Sequence, residues 1–132
     1  AAMEKYKLKI NDDSIIFLSD FTSEAAIEGV KSANLLKKFD SIICANDLIA
    51  AGVIKILLDN KIIVGPDIAV IGMDNTELGK ILSPSLTSID LRAEQRGEIA
   101  AQLLLERMND ATLPPRKVEL KPSIVIRDSS QL

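Results

Sequence analysis

Apolar positions along this chain fall into two alternating regimes, short continuous runs and longer segments with helical spacing. Ile15-Ile16-Phe17-Leu18, Ile42-Ile43-Cys44-Ala45 and Ile68 to Gly72 are continuous runs, the pattern of strands covered on both faces in a parallel sheet. Between the first two, Ser23 is an expected N-cap for a helix through Ala26, Ile27, Val30 and Leu35. Lys37-Lys38 closes that helix, where positive charge suits the carboxyl end of its dipole. Leu48 to Asp59 is a second helix, entered through Asn46 or Asp47 as its cap. Strand, helix, strand, helix, strand is the order of an α/β protein with a doubly wound parallel sheet.

The unit from Phe39 to Asn75 organises the rest. A helical crossover joins parallel strands in the right-handed βαβ arrangement, which puts the carboxyl ends of both strands on one edge of the sheet. Each of these two strands ends in a polar pair, Asn46-Asp47 and Asp74-Asn75. That edge is where open α/β sheets bind ligands. Helix capping is the plainer explanation of each pair taken singly, but two pairs on one edge favour a binding role.

Farther along, Thr76 to Leu82 reads as a short helix and Leu86 to Leu91 as an extended crossing. Arg92 to Asn109 is an amphipathic helix with Gly97, Ala100, Ala101, Leu104 and Met108 on one stripe. Val118 to Leu120 and Ser123 to Arg127 read as short strands split by Pro122, which cannot donate a ladder hydrogen bond. At the other end, Met3 to Lys9 is helix-like and Asn11-Asp12-Asp13 a turn. The opening residues read as the end of a helix, so the chain is expected to be a piece of a longer protein.

The helix Leu48 to Asp59 carries only Lys55 and Asp59 as charges and is apolar around most of its circumference. A helix packed only on a sheet shows one polar face, so a second buried surface is expected. Gly52 in its middle costs roughly 1 kcal/mol of helix propensity relative to alanine, which a close approach of another backbone would explain. Leu48, Ala51, Gly52 and Lys55 are therefore expected to face a partner subunit.

Composition removes several function classes. The 132 residues are 47% hydrophobic and 27% charged, which supports a real core in one domain or part of one. Histidine is absent and Cys44 is the single cysteine, so the commonest general base, an internal disulfide and a cysteine-rich metal site are all missing. No cofactor or metal is expected, and no enzyme. A net charge of −3 without a basic run argues against this segment gripping nucleic acid by itself. No run approaches the length of a membrane-crossing helix, and no membrane partner is expected.

CANDLIAAG, GPDIAVIGMDNTELGKILSPSLTSID, the RGEIAAQLLLERM helix and the terminal PSIVIRDSS, in this order and spacing, resemble the effector-sensing region of bacterial transcriptional repressors of the lactose and galactose repressor (LacI/GalR) family. The resemblance covers essentially the whole chain. It implies a periplasmic-binding-protein-like fold of type I, in which two doubly wound subdomains close on a small ligand. Residues 1–86 and 112–132 match the second subdomain without its first strand, which the family places centrally. Residues 87–111 match the hinge crossing and the returning helix of the first subdomain.

The same resemblance implies that Asn46 and Asp74 face the effector and that Phe21 stacks on its flat face. An amide that donates and accepts, beside a carboxylate that accepts two hydrogens, suits a sugar or a purine. Asp20 is favoured as a turn residue and Asp47 as structural. Family dimer contacts fall on Leu48, Ala51, Gly52 and Lys55 and on Leu82. The implied protein is a cytoplasmic, homodimeric repressor that responds to a small ligand, a sugar foremost, and touches DNA only through a headpiece absent from this chain. A fragment holding half of the cleft is expected to bind effector weakly or not at all.

A periplasmic or surface sugar-binding protein is the alternative on the same fold, although an apolar dimer helix has no role in a monomeric carrier. A phosphoacceptor receiver domain is suggested by Asp12-Asp13, Asp74, Thr87 and Lys121-Pro122. Topology rejects it, because the acid pair precedes the strand Ile15 to Leu18 when it must follow one.

Overall fold

The computed structural model describes residues 2–8, 14–33 and 39–131. The turn expected at Asn11 to Asp13 and the helix end at Leu35 to Lys38 lie outside them. Helix α1 spans Ala2–Lys5 and α2 spans Ser23–Ser32. The sheet strands are β1 Ser41–Ile43, β2 Ala69–Met73, β3 Thr87–Asp90 and β4 Ser123–Val125. Helix α3 spans Asp47–Asp59, α4 Glu77–Ile81 and α5 Ala93–Asn109, and a short 3-10 turn closes the described chain at Asp128–Ser130.

The strands lie in the order β1-β2-β3-β4. β1 pairs with β2 and β2 with β3 in parallel, with Ser41 opposite Ala69 and Ile71 opposite Thr87. β4 runs antiparallel to β3, so the expected doubly wound sheet is parallel over β1, β2 and β3 and mixed at its β4 edge. The excursion through α5 starts and finishes at the carboxyl end of β3, so β4 re-enters there with Ser123 opposite Asp90 and runs the other way.

The core lies between β2 and α3, where Ile54, Leu57, Val70 and Leu86 are at most 2% exposed. Helix α3 packs on β2 with one face and on α2 with another. Its nearly all-round apolarity thus has its second buried surface within the chain. A Cβ on Gly52 would collide with the backbone carbonyl of Ser23 and lie 3.0 Å from the Cβ of Ala26. The close approach expected at Gly52 is real, but the approaching backbone is α2, and Gly52 is buried and closed to a partner subunit. Leu48, Ala51, Lys55 and Leu58 form the outer stripe of the helix, with Leu48 and Leu58 exposed.

Three other expectations are corrected. Ile15 to Leu18 has no secondary structure, and Phe17 is 91% exposed. A strand needs a neighbour for its backbone groups, and no described strand pairs with this run. For the same reason β1 pairs only with β2 among the described strands and stands at the edge of the sheet, with Ile43 exposed. Val118 to Leu120 also lies outside any ladder, with Val118 exposed. Finally, the N-cap of α2 is Thr22, whose Oγ1 accepts the amide hydrogen of Ala25 at 3.2 Å, rather than Ser23.

Helix α5 stands apart, since none of its residues is buried and a Cβ on Gly97 would meet nothing within 4 Å. Its apolar stripe is open at Leu104 and Met108. An ion pair between Glu106 and Arg116 ties its last turn to the loop that follows.

Candidate functional site

Parallel pairing of β1 and β2 sets Asn46 and Asp74 on one edge, each following the carboxyl end of its strand. Asn46 caps α3: its Oδ1 accepts the amide hydrogen of Ile49 at 2.7 Å. The cap uses one acceptor and leaves the Nδ2 group without a partner among the described residues. Asp74 caps nothing. The N-cap of α4 is Thr76, which makes no side-chain capping bond of its own, and the Asp74 carboxylate is exposed. Phe21 is 66% exposed in the turn before α2, where its amide donates to Asp20 Oδ1 at 2.7 Å, so Asp20 is the turn residue expected.

Sequence reasoning left Asp47 as merely structural, yet it is the centre of the polar structure behind this edge. It is 1% exposed in the first turn of α3. Oδ2 accepts from the amide of Thr76 at 2.6 Å and from its hydroxyl at 2.8 Å, and Oδ1 accepts from the Ser88 hydroxyl at 2.6 Å. The Thr76 amide is one of the orphan donors at the start of α4. It is satisfied from α3 instead of from its own segment.

The end of the chain is locked to β2 and β3 by a second buried set. Ser129 Oγ donates to the carbonyl of Val70 at 2.6 Å and accepts from the amide of Thr87 at 2.8 Å. Thr87 Oγ1 donates to the carbonyl of Arg127 at 3.0 Å and accepts from its amide at 2.8 Å. Arg127 in turn donates to the Leu86 carbonyl and to Asn75 Oδ1, both at 2.6 Å. No buried side-chain nitrogen or oxygen among the described residues lacks a partner. The sequence signal for this set was the polar Thr87-Ser88 pair inside a strand, unexpected where neighbours are apolar.

Cys44, at the end of β1, is buried, and its thiol is pushed up to about 12 by burial and then by the Asp47 charge. Both causes work against forming the thiolate there. Among the described residues no group of three histidine, cysteine, aspartate or glutamate side chains is placed to hold a metal. No described helix is long and apolar enough to cross a membrane.

A family model of the periplasmic binding protein-like domain matches residues 2–130. The HTH-type transcriptional repressor PurR of Vibrio parahaemolyticus is 37% identical over 128 residues, covering 97% of this chain and 38% of its own length. A LacI-type transcription regulator from Bifidobacterium animalis subsp. lactis superposes with a TM-score of 0.90 at 27% identity, over 99% of this chain and 47% of that one. A LacI family regulator from Arthrobacter sp. FB24, solved in complex with lactose, is 38% identical with a TM-score of 0.74, over 83% of this chain and 42% of that one. The chain belongs to the periplasmic binding protein-like domain family, in the form found in LacI/GalR-type regulators. It spans between 38% and 47% of the length of these relatives.

Proposed function

We propose that this chain is the larger part of the second subdomain of an effector-sensing region, in a DNA-binding transcriptional repressor that responds to a small ligand. The observation that carries the reading is the carboxyl edge of β1 and β2, where Asn46 offers an amide and Asp74 an unshared carboxylate. Phe21, exposed before α2, supplies the aromatic face. A sugar is the preferred ligand class, because carboxylate and amide groups match vicinal hydroxyls and a flat aromatic matches the ring's apolar face. The lactose-bound relative supports that choice. Its relatives are named as regulators rather than enzymes or transport proteins, which favours the repressor over the solute carrier.

In this reading residues 1–86 and 112–132 form the subdomain, while 87–111 hold the crossing β3 and the returning helix α5, whose exposed stripe packs on the other subdomain. Homodimerisation uses the outer stripe of α3, Leu48, Ala51 and Lys55, together with Leu82. DNA is reached through a headpiece elsewhere in the protein, and the work is cytoplasmic. Effector binding shifts the population between two closure angles, and the dimer passes the change to the headpieces. Calorimetry of the intact protein with lactose tests the site. Binding that Asp74→Asn and Phe21→Ala each weaken by about tenfold or more supports it, and binding that neither changes removes these residues from the site.

A further inference from the structure

Asp74 and Asn75 both have left-handed backbones, with φ of 95° and 49°. Consecutive non-glycine residues in this region persist only where their surroundings over-determine them. The surroundings are specific here. The amide of Asn75 donates to Ser88 Oγ at 3.0 Å, and the amide of Thr76 donates to Asp47 Oδ2 at 2.6 Å. Ser88, fully buried, is itself oriented by donating to Asp47 Oδ1. One carboxylate therefore fixes, directly or through one hydroxyl, both amides that follow Asp74. Arg127 holds the side chain of Asn75 from the far side.

Space for this carboxylate has been kept by a glycine. A Cβ on Gly72 would collide with Asp47 Oδ1 and lie 2.9 Å from Leu86 Cδ2. Gly72 lacks the positive φ that would demand glycine on backbone grounds. Among the described residues no cation pairs with Asp47. A buried carboxylate held by neutral donors alone is costly to desolvate, and a neutral residue of the same size would fill the space without that cost.

We infer that Asp47 is the positioning residue of the effector site: it locks the left-handed Asp74-Asn75 turn and so sets where the Asp74 carboxylate projects. Because Asp47 follows Asn46 in the chain and reaches Ser88 on β3, it also fixes both ligand-facing groups to each other and to the crossing strand. The ligand half of this inference rests on the effector reading above. The turn half does not.

The test is amide hydrogen exchange on the intact protein, comparing Asp47→Asn with the unmodified chain. Positioning predicts that the amides of Asn75 and Thr76 exchange about 10- to 100-fold faster, while the amides of Ile54 and Leu57 in α3 keep their rates. Unchanged turn amides, or a uniform rise across α3 and the turn, would overturn it. If Asp47→Asn does not fold, Ser88→Ala severs the link to Asn75 alone: the Asn75 amide should exchange faster while those of Ile54 and Leu57 keep their rates, and an unchanged Asn75 amide would overturn the inference.

Lactose binding supplies the second arm. Asp47→Asn should weaken it by about tenfold and add nothing further in an Asp74→Asn background. Additive losses would make Asp47 a structural residue only. Absence of lactose binding by the unmodified protein would overturn the choice of that sugar, while the exchange result still decides the turn.

Discussion

Two regions of the sheet treat burial in opposite ways. Around β2, β3 and the closing 3-10 turn, Asp47, Thr87, Ser88 and Ser129 are at most 1% exposed and every one of their buried polar atoms is partnered. In the run before α2 and on β1, Ile15, Phe17 and Ile43 are apolar and exposed, and β1 pairs with one of the described strands. The polar end is closed and the apolar end is open. The contrast shows that an apolar run is not by itself a sign of burial in this chain.

The comparison breaks most sharply in the core beside the closed end. Leu57→Ala, at a fully buried position, is expected to cost about 2–5 kcal/mol, whereas Phe17→Ser at the open end should change stability by at most about 0.5 kcal/mol. Urea denaturation of the two variants side by side measures the difference. Equal costs would mean that the open end is covered in solution.

Next in size, Ser129→Ala leaves the Thr87 amide and the Val70 carbonyl without their partner, at about 1–3 kcal/mol for each buried group. Gly52→Ala comes after it at about 1–3 kcal/mol, because the new methyl meets α2. That loss should appear in denaturation with no change in oligomeric state, while Leu48→Asp on the outer stripe should shift light-scattering mass toward monomer. Dissociation by Gly52→Ala at unchanged stability would return Gly52 to the interface.

Smaller still, Asn46→Ala removes the cap of α3 and is expected to cost about 1 kcal/mol. Loss of stability without loss of ligand binding would leave Asn46 a cap only. The Cys44 thiol, pushed up to about 12, should resist a thiol-specific reagent at pH 8 until the chain is unfolded. Rapid labelling of native protein would place β1 outside the core.

The central β1-α3-β2 unit was legible because its signals are local: continuous apolar runs, a helix-length gap and capping residues at the joints. The Asn46 and Asp74 edge followed from topology. Ile15 to Leu18 was not legible, because an apolar run reports a tendency to be buried and says nothing of whether a pairing strand is present. Gly52 reported a close approach truly but could not name the approaching chain. Asp47 was hidden for another reason. Its partners, Thr76 and Ser88, lie 29 and 41 positions away, and no local periodicity carries contacts of that range. Thr87 and Ser129, 42 positions apart, were hidden in the same way.

The most direct test of the account is a calorimetric titration of the intact protein with lactose, cellobiose and a set of purine bases, repeated with Asp74→Asn. Saturable binding of one sugar, weakened about tenfold or more by the substitution, is the expected result. Saturable binding indifferent to Asp74, or no binding of any sugar, would contradict it.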